Sequence, residues 1–512
     1  MKKVFFWLVL VFAIALTVRF FRLATFPMSL SMDEVGFGYN AYSVLATGKD
    51  EYGQKLPLAF RNLGDYKLPV NVYLTSFSVA VFGLNEFAIR FPVALTGALT
   101  PVLFILLLRK LKFSWKSSLM SGFWMSILGW HVFLSRASFE TVTALFFVLL
   151  GTLFYLIWAE SRKPAHFLFC VLFFGISVWT YNAARLFVPL LFTSFLFIFK
   201  GSIGEIARNP KKYIPSFVVL LLFVIPLVYL FLTGASVVSR AQDLWIGKDN
   251  SPWIVQYLNY FDPVFWFWKG LKLTPPGYPD VGLLYLIDIP VFLSGFYALS
   301  ISKNKILKRL VLMWMFLAPI PASFTRGDAS PVRFLIFLPF FGFIMASGFE
   351  KLFTYSRKVL YLGLYLALLL FNFAYFLDLY FNNFYKFYGD LWHYGYKEVS
   401  KYACQNYQKY DKIIITDKYG IEWPSTKTVP YLYVLVHCGW DPQGYLNDKS
   451  LYNIEFRQPQ WRIDSRERNY LLIGSRWDFP EDFDMERIIK IIYFPESTHE
   501  PKAAFYFVET KK

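Results

Sequence analysis

The chain has 512 residues, 56% of them hydrophobic and 21% aromatic, with a mean hydropathy of +0.41. Only 17% are charged, where a soluble protein carries about 25%, so an ordinary soluble globular fold is excluded. The net charge of +17 does not mark a nucleic-acid binder: the basic residues gather in short loops between apolar runs, as the positive-inside rule produces, and no basic face with interleaved base-stacking aromatics is present.

Lys2 and Lys3 lead into an apolar run that continues through Phe20 and Phe21. It reads as an uncleaved first span, although Ala13-Ile14-Ala15 resembles a signal-peptidase site. Eleven spans are expected, near 4–20, 92–108, 117–134, 141–159, 165–181, 186–200, 214–232, 283–300, 310–324, 332–349 and 358–378, several of them shorter than the roughly 20 residues of an ideal crossing. With the N-terminus in the cytoplasm, the cytoplasmic segments hold nineteen basic residues against three acidic ones, Glu160, Glu205 and Glu350. The first outer loop, 21–91, holds six of each sign. Within it, Pro69 to Phe82 is apolar, but a full span there would invert every later loop, so it is expected to lie along the membrane surface or re-enter it. Cys170 falls inside an apolar run and reads as a packed membrane residue. The outer loop from Thr233 to Gly282 is long and rich in aromatics and proline.

An odd number of spans leaves the tail outside the cytoplasm. Lys397 to Tyr410 reads there as an amphipathic helix, and Lys412 to Thr416, Tyr431 to Val436 and Tyr470 to Ile473 as strands. The expected fold class is mainly α: a transmembrane helical bundle over 1–380, followed by a small extracytoplasmic α/β domain over 381–512. Cys404 and Cys438 could pair there if the tail is outside the cell. The tail has no glycine-rich phosphate loop and no nucleophile elbow, and no Cys/His cluster suggests a metal.

On this topology polar residues collect at the outer ends of the spans. Asp33 and Glu34 follow the first span, and Asp65, Tyr66 and Lys67 precede the short apolar stretch. Arg136 and Glu140 lie between spans three and four, Tyr181, Asn182 and Arg185 between five and six, and Arg326, Asp328 and Arg333 between nine and ten. Singly, each has a bland explanation: arginines at span ends snorkel, and Asp33 could cap a helix beginning at Val35. As a set they describe carboxylates facing cations at one membrane depth, costly unless they pair or line a wet cavity. Such a site can activate a hydroxyl and hold an anionic group. That suits glycosyl transfer from a lipid-phosphate sugar, in which the phosphate leaves without needing a general acid.

At these residues the chain resembles the GT-C glycosyltransferases, specifically glycosyltransferase family 39, which includes protein O-mannosyltransferases and bacterial aminoarabinose transferases of lipid A. The matching pieces are Asp33-Glu34, Lys67-Leu-Pro69, Phe82-Gly-Leu-Asn-Glu86, Ala88-Ile-Arg-Phe-Pro92, Leu134-Ser-Arg136 to Glu140, and an arginine before a late span, Arg326 or Arg333. The resemblance implies that Asp33 is the base or orients the acceptor, with Glu34 its neighbour and Glu140 a further acidic residue. It implies that Lys67 contacts the donor phosphate. From their place at the span ends, Arg136, Arg185, Arg326 and Arg333 are read as further phosphate-binding candidates, and Asp65, Tyr66, Tyr181 and Asn182 as lining the substrate. The family's Lys-Pro-Pro is Lys67-Leu68-Pro69 here, and the segment after span five departs as Tyr181-Asn-Ala-Ala-Arg185, which bears on donor or acceptor choice.

The expectation is therefore an inverting cell-membrane enzyme moving mannose or a similar hexose from a polyprenyl-phosphate donor to a hydroxyl on a protein, lipid or glycan. An oligosaccharyltransferase using a lipid pyrophosphate is the alternative, with Mn²⁺ or Mg²⁺ held by Asp33, Glu34 and Glu140. A lipid-linked sugar transporter would instead place charges at mid-membrane in paired broken helices. A structural protein whose outer domain recruits partners leaves the charges unexplained.

Overall fold

A computed structural model describes residues 2–62, 65–233, 252–274, 280–325, 327–420, 426–481, 483–495 and 502–510. Each expected span overlaps one or more helices. Among the described residues seven helices are long and apolar enough to cross a membrane by themselves: α1 (Lys2–Phe20), α4 (Glu86–Lys110), α7 (Glu140–Ser161), α11 (Pro210–Leu232), and the segments Lys305–Ser323, Pro331–Leu352 and Lys358–Tyr388. The other four expected spans fall on shorter or broken helices. These are α5 (Trp115–Ser126) with α6 (Gly129–Arg136), α8 (Pro164–Val178), α9 (Asn182–Ile198) and α12 (Asp288–Ile301).

The break between α5 and α6 is the main departure in the helical part. It leaves backbone groups of one turn without helical partners, a state tolerated only where neighbours satisfy them. Tyr285 does so: its hydroxyl donates to the Ile127 carbonyl at 2.7 Å and accepts from the Gly129 N–H at 2.9 Å. Asp288, fully buried beside it, accepts from Trp124 Nε1, Tyr365 Oη and the Tyr285 N–H.

The segment 21–91 carries α2 (Met32–Thr47), a hairpin of β1 (Phe60–Asn62) and β2 (Asp65–Lys67), and α3 (Pro69–Phe82), which packs beside α2 and α4. Pro69 sits at the first position of α3, where its fixed φ suits a helix start. Phe77, Val81 and Phe82 remain exposed on its outer side.

The tail holds a five-stranded sheet in the order β6 (Ile454–Phe456), β3 (Lys412–Ile415), β7 (Tyr470–Gly474), β9 (Ala503–Glu509), β8 (Ile488–Tyr493). The first three are parallel, and β9 runs antiparallel to both of its neighbours, β7 and β8. Two of the expected strands are there, and the amphipathic helix is α13 (Tyr396–Asn406). The expected strand at Tyr431 to Val436 is instead a helix, α14 (Pro430–His437). Pro430 presets its first turn, and packing against α2 and α13 overrides the strand preference of its aromatic and β-branched residues. A Cys404–Cys438 disulfide joins α13 to the end of α14.

On one face of the tail sheet Ile414, Leu472, Phe479 and Val508 form a buried cluster within the tail. The larger cluster is shared: Leu30, Val35 and Tyr39 from residues 21–91 and Ile89 from α4 belong to it together with Tyr396, Ile413, Tyr433 and Phe505.

Candidate active site

The site begins with a helix start. Ser31, not Asp33, caps α2: its hydroxyl accepts from the Glu34 N–H, while its own N–H donates to Glu34 Oε2 at 2.9 Å. This reciprocal cap turns Glu34 inward, where it is 1% exposed and accepts from Arg90 Nε at 2.8 Å and from the Ser138 N–H. Arg90, also fully buried, spends its other donors on the carbonyls of Leu23, Pro27 and Ser29. Glu34 is thereby saturated, and the structure corrects its assignment as a reacting group: it positions the chain before α2. Its neighbour Asp33 faces the other way, half-exposed.

The hairpin brings an amide and a cation to Asp33. Gly36 allows the approach, since a Cβ there would come within 2.7 Å of the Asn62 amide. Asn62 Nδ2 lies 3.4 Å from Asp33 Oδ1, and Lys67 Nζ, at the end of β2, lies 2.9 Å from Asp33 Oδ2. The ion pair is buried on the lysine side.

Asp33 and Lys67 open onto a cavity of about 700 Å³. Tyr66, Glu140, Tyr181, Asn182, Arg185 and Arg333 also line it, joined by Thr325 and Ser330. Its apolar wall comprises Phe139, Leu186, Leu227, Phe231, Phe324 and Val332. Arg333 donates to Thr325 Oγ1 at 2.8 Å. Arg185 is different: its Nε and Nη2 are buried without a hydrogen-bond partner among the described residues, its guanidinium 5.9 Å from the Trp179 ring. Leaving such donors unfilled is expensive, and an anion in the cavity would satisfy them.

Arg136 is not part of this cavity, and its assignment to phosphate is corrected. Its guanidinium donates to the carbonyls of Val18, Arg19, Phe21 and Phe26 and to Tyr380 Oη. It thus satisfies the carbonyls left open where α1 ends. The Asp65 side chain and Arg326 lie outside the described residues. Among the described residues no three His, Cys, Asp or Glu side chains form a metal-holding group. Glu34, turned to Arg90, cannot join Asp33 and Glu140 in one, so the donor set expected for Mn²⁺ or Mg²⁺ does not fit.

Sequence reasoning assigned no role to Arg90, Asn62, Thr325 or Ser330. For Arg90 a signal existed, a charge inside an otherwise apolar helix; the others are common polar residues that only the fold singles out.

Residues 67–229 match the model of the family described as dolichyl-phosphate-mannose-protein mannosyltransferase. Among solved structures, ArnT from Cupriavidus metallidurans bound to undecaprenyl phosphate is similar with a TM-score of 0.53 at 13% identity, over 98% of this chain and 98% of its own. Its apo form gives 0.53 and 13%, over 98% and 97%. The Archaeoglobus fulgidus oligosaccharyltransferase, in complex with Zn and sulfate, reaches 0.49 at 14% identity, over 84% of this chain and 61% of its own, a likeness too slight to argue from. None of the curated proteins matches the sequence. Across nearly its whole length, therefore, the chain has the fold of the GT-C membrane glycosyltransferases.

Proposed function

We propose that the protein transfers a monosaccharide, mannose or a similar hexose, from a polyprenyl phosphate to an acceptor hydroxyl, with inversion. The observation that carries this reading is the meeting of Asp33 and Glu140 with Lys67, Arg185 and Arg333 around one cavity that also has an extensive apolar lining. The fold, shared with an enzyme solved with undecaprenyl phosphate bound, supports the same donor class. The matched family supports a mannose-type sugar.

Asp33 takes the proton of the acceptor hydroxyl as that oxygen bonds to the anomeric carbon. The bond from that carbon to the phosphate oxygen breaks, its electron pair leaving with the polyprenyl phosphate. Arg185 and Arg333 stabilise the charge that builds there, and Lys67 stands between carboxylate and phosphate. Tyr66, Tyr181 and Asn182 line the space left for the sugar. The apolar wall of Leu227 and Phe231 gives the lipid a dry side, so chemistry at the membrane surface leaves the tail in the bilayer.

The N-terminus is cytoplasmic and the tail extracytoplasmic in this proposal. The alternation of basic loops supports it, as does the Cys404–Cys438 disulfide, which belongs in an oxidising compartment. The acceptor is a protein, lipid or glycan of that side.

The test is transfer by the purified full-length protein in nanodiscs, supplied with radiolabelled undecaprenyl-phosphate hexoses and extracts of surface protein, lipid and glycan. Label in a new glycosidic linkage is expected. Transfer only from pyrophosphate-linked sugars, or movement of lipid-linked sugar across the bilayer without a new bond, would contradict the proposal.

A further inference from the structure

The chain turns sharply after α9. A short helix, α10 (Ser202–Arg208), leaves α9 at 89°, and Gly201 in the turn has a φ of 89°, a left-handed value that favours glycine. α10 therefore lies across the bundle, before Pro210 starts α11. Its inner side is tied down: Tyr155 Oη donates to Ser202 Oγ at 3.1 Å, and Ile206 packs against the core. Glu140 opens α7 and lines the cavity, whereas Arg162 follows the last residue of α7 beside this elbow. The 22 residues of α7 span about 33 Å, so the elbow and the cavity stand at opposite ends of a full crossing.

Cations gather at the elbow. Lys163, Lys200, Arg208, Lys211 and Lys212 are exposed and form no ion pair among the described residues. The nearby acids are engaged elsewhere: Glu160 pairs with Lys110, and Glu205 accepts from Asn209 Nδ2 and Tyr213 Oη. Arg162 is the inner member of the group. Its guanidinium lies 5.0 Å over the Trp158 ring, and its Nη1 is buried without a hydrogen-bond partner among the described residues. Its Nη2 is 3.9 Å from where a Cβ on Gly201 would stand. A guanidinium left incompletely bonded is costly, and an anion at the elbow offsets that cost.

Apolar side chains stand beside the cations. Ile203 on α10 is exposed, and on α11 Ile214, Val218, Leu221 and Ile225 form an exposed stripe at helical spacing. Cations and apolar side chains within one turn of each other seat a segment where hydrocarbon meets headgroups. An occupant that fits both needs a negative headgroup and an apolar body. A free anion uses only the cations; a glycerophospholipid uses the stripe as well.

We infer that the α9–α10 elbow is a binding site for an anionic glycerophospholipid, at the end of the bundle away from the cavity. The lipid phosphate pairs with the Arg162 guanidinium, Lys200 and Arg208 flank it, and an acyl chain lies along the exposed stripe of α11. The site needs the chain to span a membrane and is independent of the transfer reaction.

The experiment uses the full-length protein in phosphatidylcholine nanodiscs doped with increasing phosphatidylglycerol, and reads the lipid retained on release by native mass spectrometry. Phosphatidylglycerol is expected to be held at least about tenfold more tightly than phosphatidylcholine. Arg162→Gln is expected to weaken it about tenfold, the worth of one charge-assisted hydrogen bond. The exposed pair Lys200→Gln and Arg208→Gln, made together, tests the same site without touching a buried group and is expected to weaken it as much. Lys303→Gln with Lys305→Gln removes an equal charge from exposed positions just after α12 and is expected to leave retention within twofold. No preference for phosphatidylglycerol in the unsubstituted protein overturns the inference, as does retention within twofold by the Lys200 and Arg208 double variant. An equal loss in the Lys303 and Lys305 control also overturns it, since that marks net charge and not a site. Displacement of phosphatidylglycerol by inorganic phosphate or by undecaprenyl phosphate at equal concentration overturns the choice of occupant, and the inference with it.

Discussion

Arg185 and Arg136 show how two arginines at span ends part company once the chain is folded. Arg136 fills five acceptors inside the protein, whereas Arg185 keeps two nitrogens unfilled in the wall of the cavity. Their substitution should therefore separate binding from stability. Arg185→Ala is expected to weaken undecaprenyl phosphate binding about tenfold to a hundredfold, the worth of one or two charge-assisted hydrogen bonds, with little change in Tm. Arg136→Leu is expected to lower stability by about 3 kcal/mol or more by stranding buried carbonyls, seen as a fall in Tm in nanodiscs. The sequence offered no means of telling them apart. A charge at the end of a span looks the same whether it faces a cavity or a neighbour's carbonyls. Glu34 was illegible for the same reason, since its partner Arg90 is 56 residues away. Asp33 and Lys67 could be read because their motifs carry a family resemblance and not only a charge.

Among the elements, the spans were the most legible feature: each needs an apolar run, and the bilayer punishes any shortfall. What hydropathy cannot register is a break inside a run. Ser126 to Gly129 is apolar enough to continue a helix, and the interruption is made tolerable by Tyr285, more than 150 residues away, and by Arg19, which donates to the Ser126 carbonyl. Tyr285→Phe is expected to cost about 1–3 kcal/mol through the two backbone groups it leaves unpaired. Hydrogen exchange should quicken at 127–130 first, with protection of α7 retained. Unchanged exchange there would show that the break is held by something else. The helix at Pro430–His437 escaped for a related reason, because its residues favour a strand and its packing partners lie on α2 and α13.

Over the whole molecule, the segment 21–91 and the tail share a buried cluster and are joined by hydrogen bonds. Glu51, 2% exposed, accepts from Asn40 Nδ2 and from Tyr431 Oη, and its carbonyl accepts from Lys449 Nζ. Lys397 pairs with Glu86 at the same junction. Burial raises the Glu51 pKa from 4.5 to about 7. A carboxyl raised in the folded state stabilises that state fully below its unfolded value and loses the contribution as pH climbs through the folded one. Glu51→Gln removes this titration. Its Tm is expected to gain on that of the unsubstituted protein as pH rises from 4.5 to 7 and to keep a constant offset above, the full span being worth up to about 3 kcal/mol. A Tm difference that does not vary with pH would place the titration elsewhere. This junction was hidden in the sequence, since the tail was read as a domain apart and nothing in residues 381–512 announces that Leu30, Val35 and Tyr39 complete its core.

In the proposed reaction Asp33 accepts the acceptor's proton beside a lipid phosphate. Its most direct test is Asp33→Asn, which keeps the shape and removes the base, measured for undecaprenyl phosphate binding and for transfer of radiolabelled hexose in the same nanodisc preparation. The expected result is binding within a few-fold of the unsubstituted protein and transfer reduced at least about a thousandfold, within the rate advantage of a positioned base together with its electrostatic alignment. Full transfer by Asp33→Asn would contradict the account.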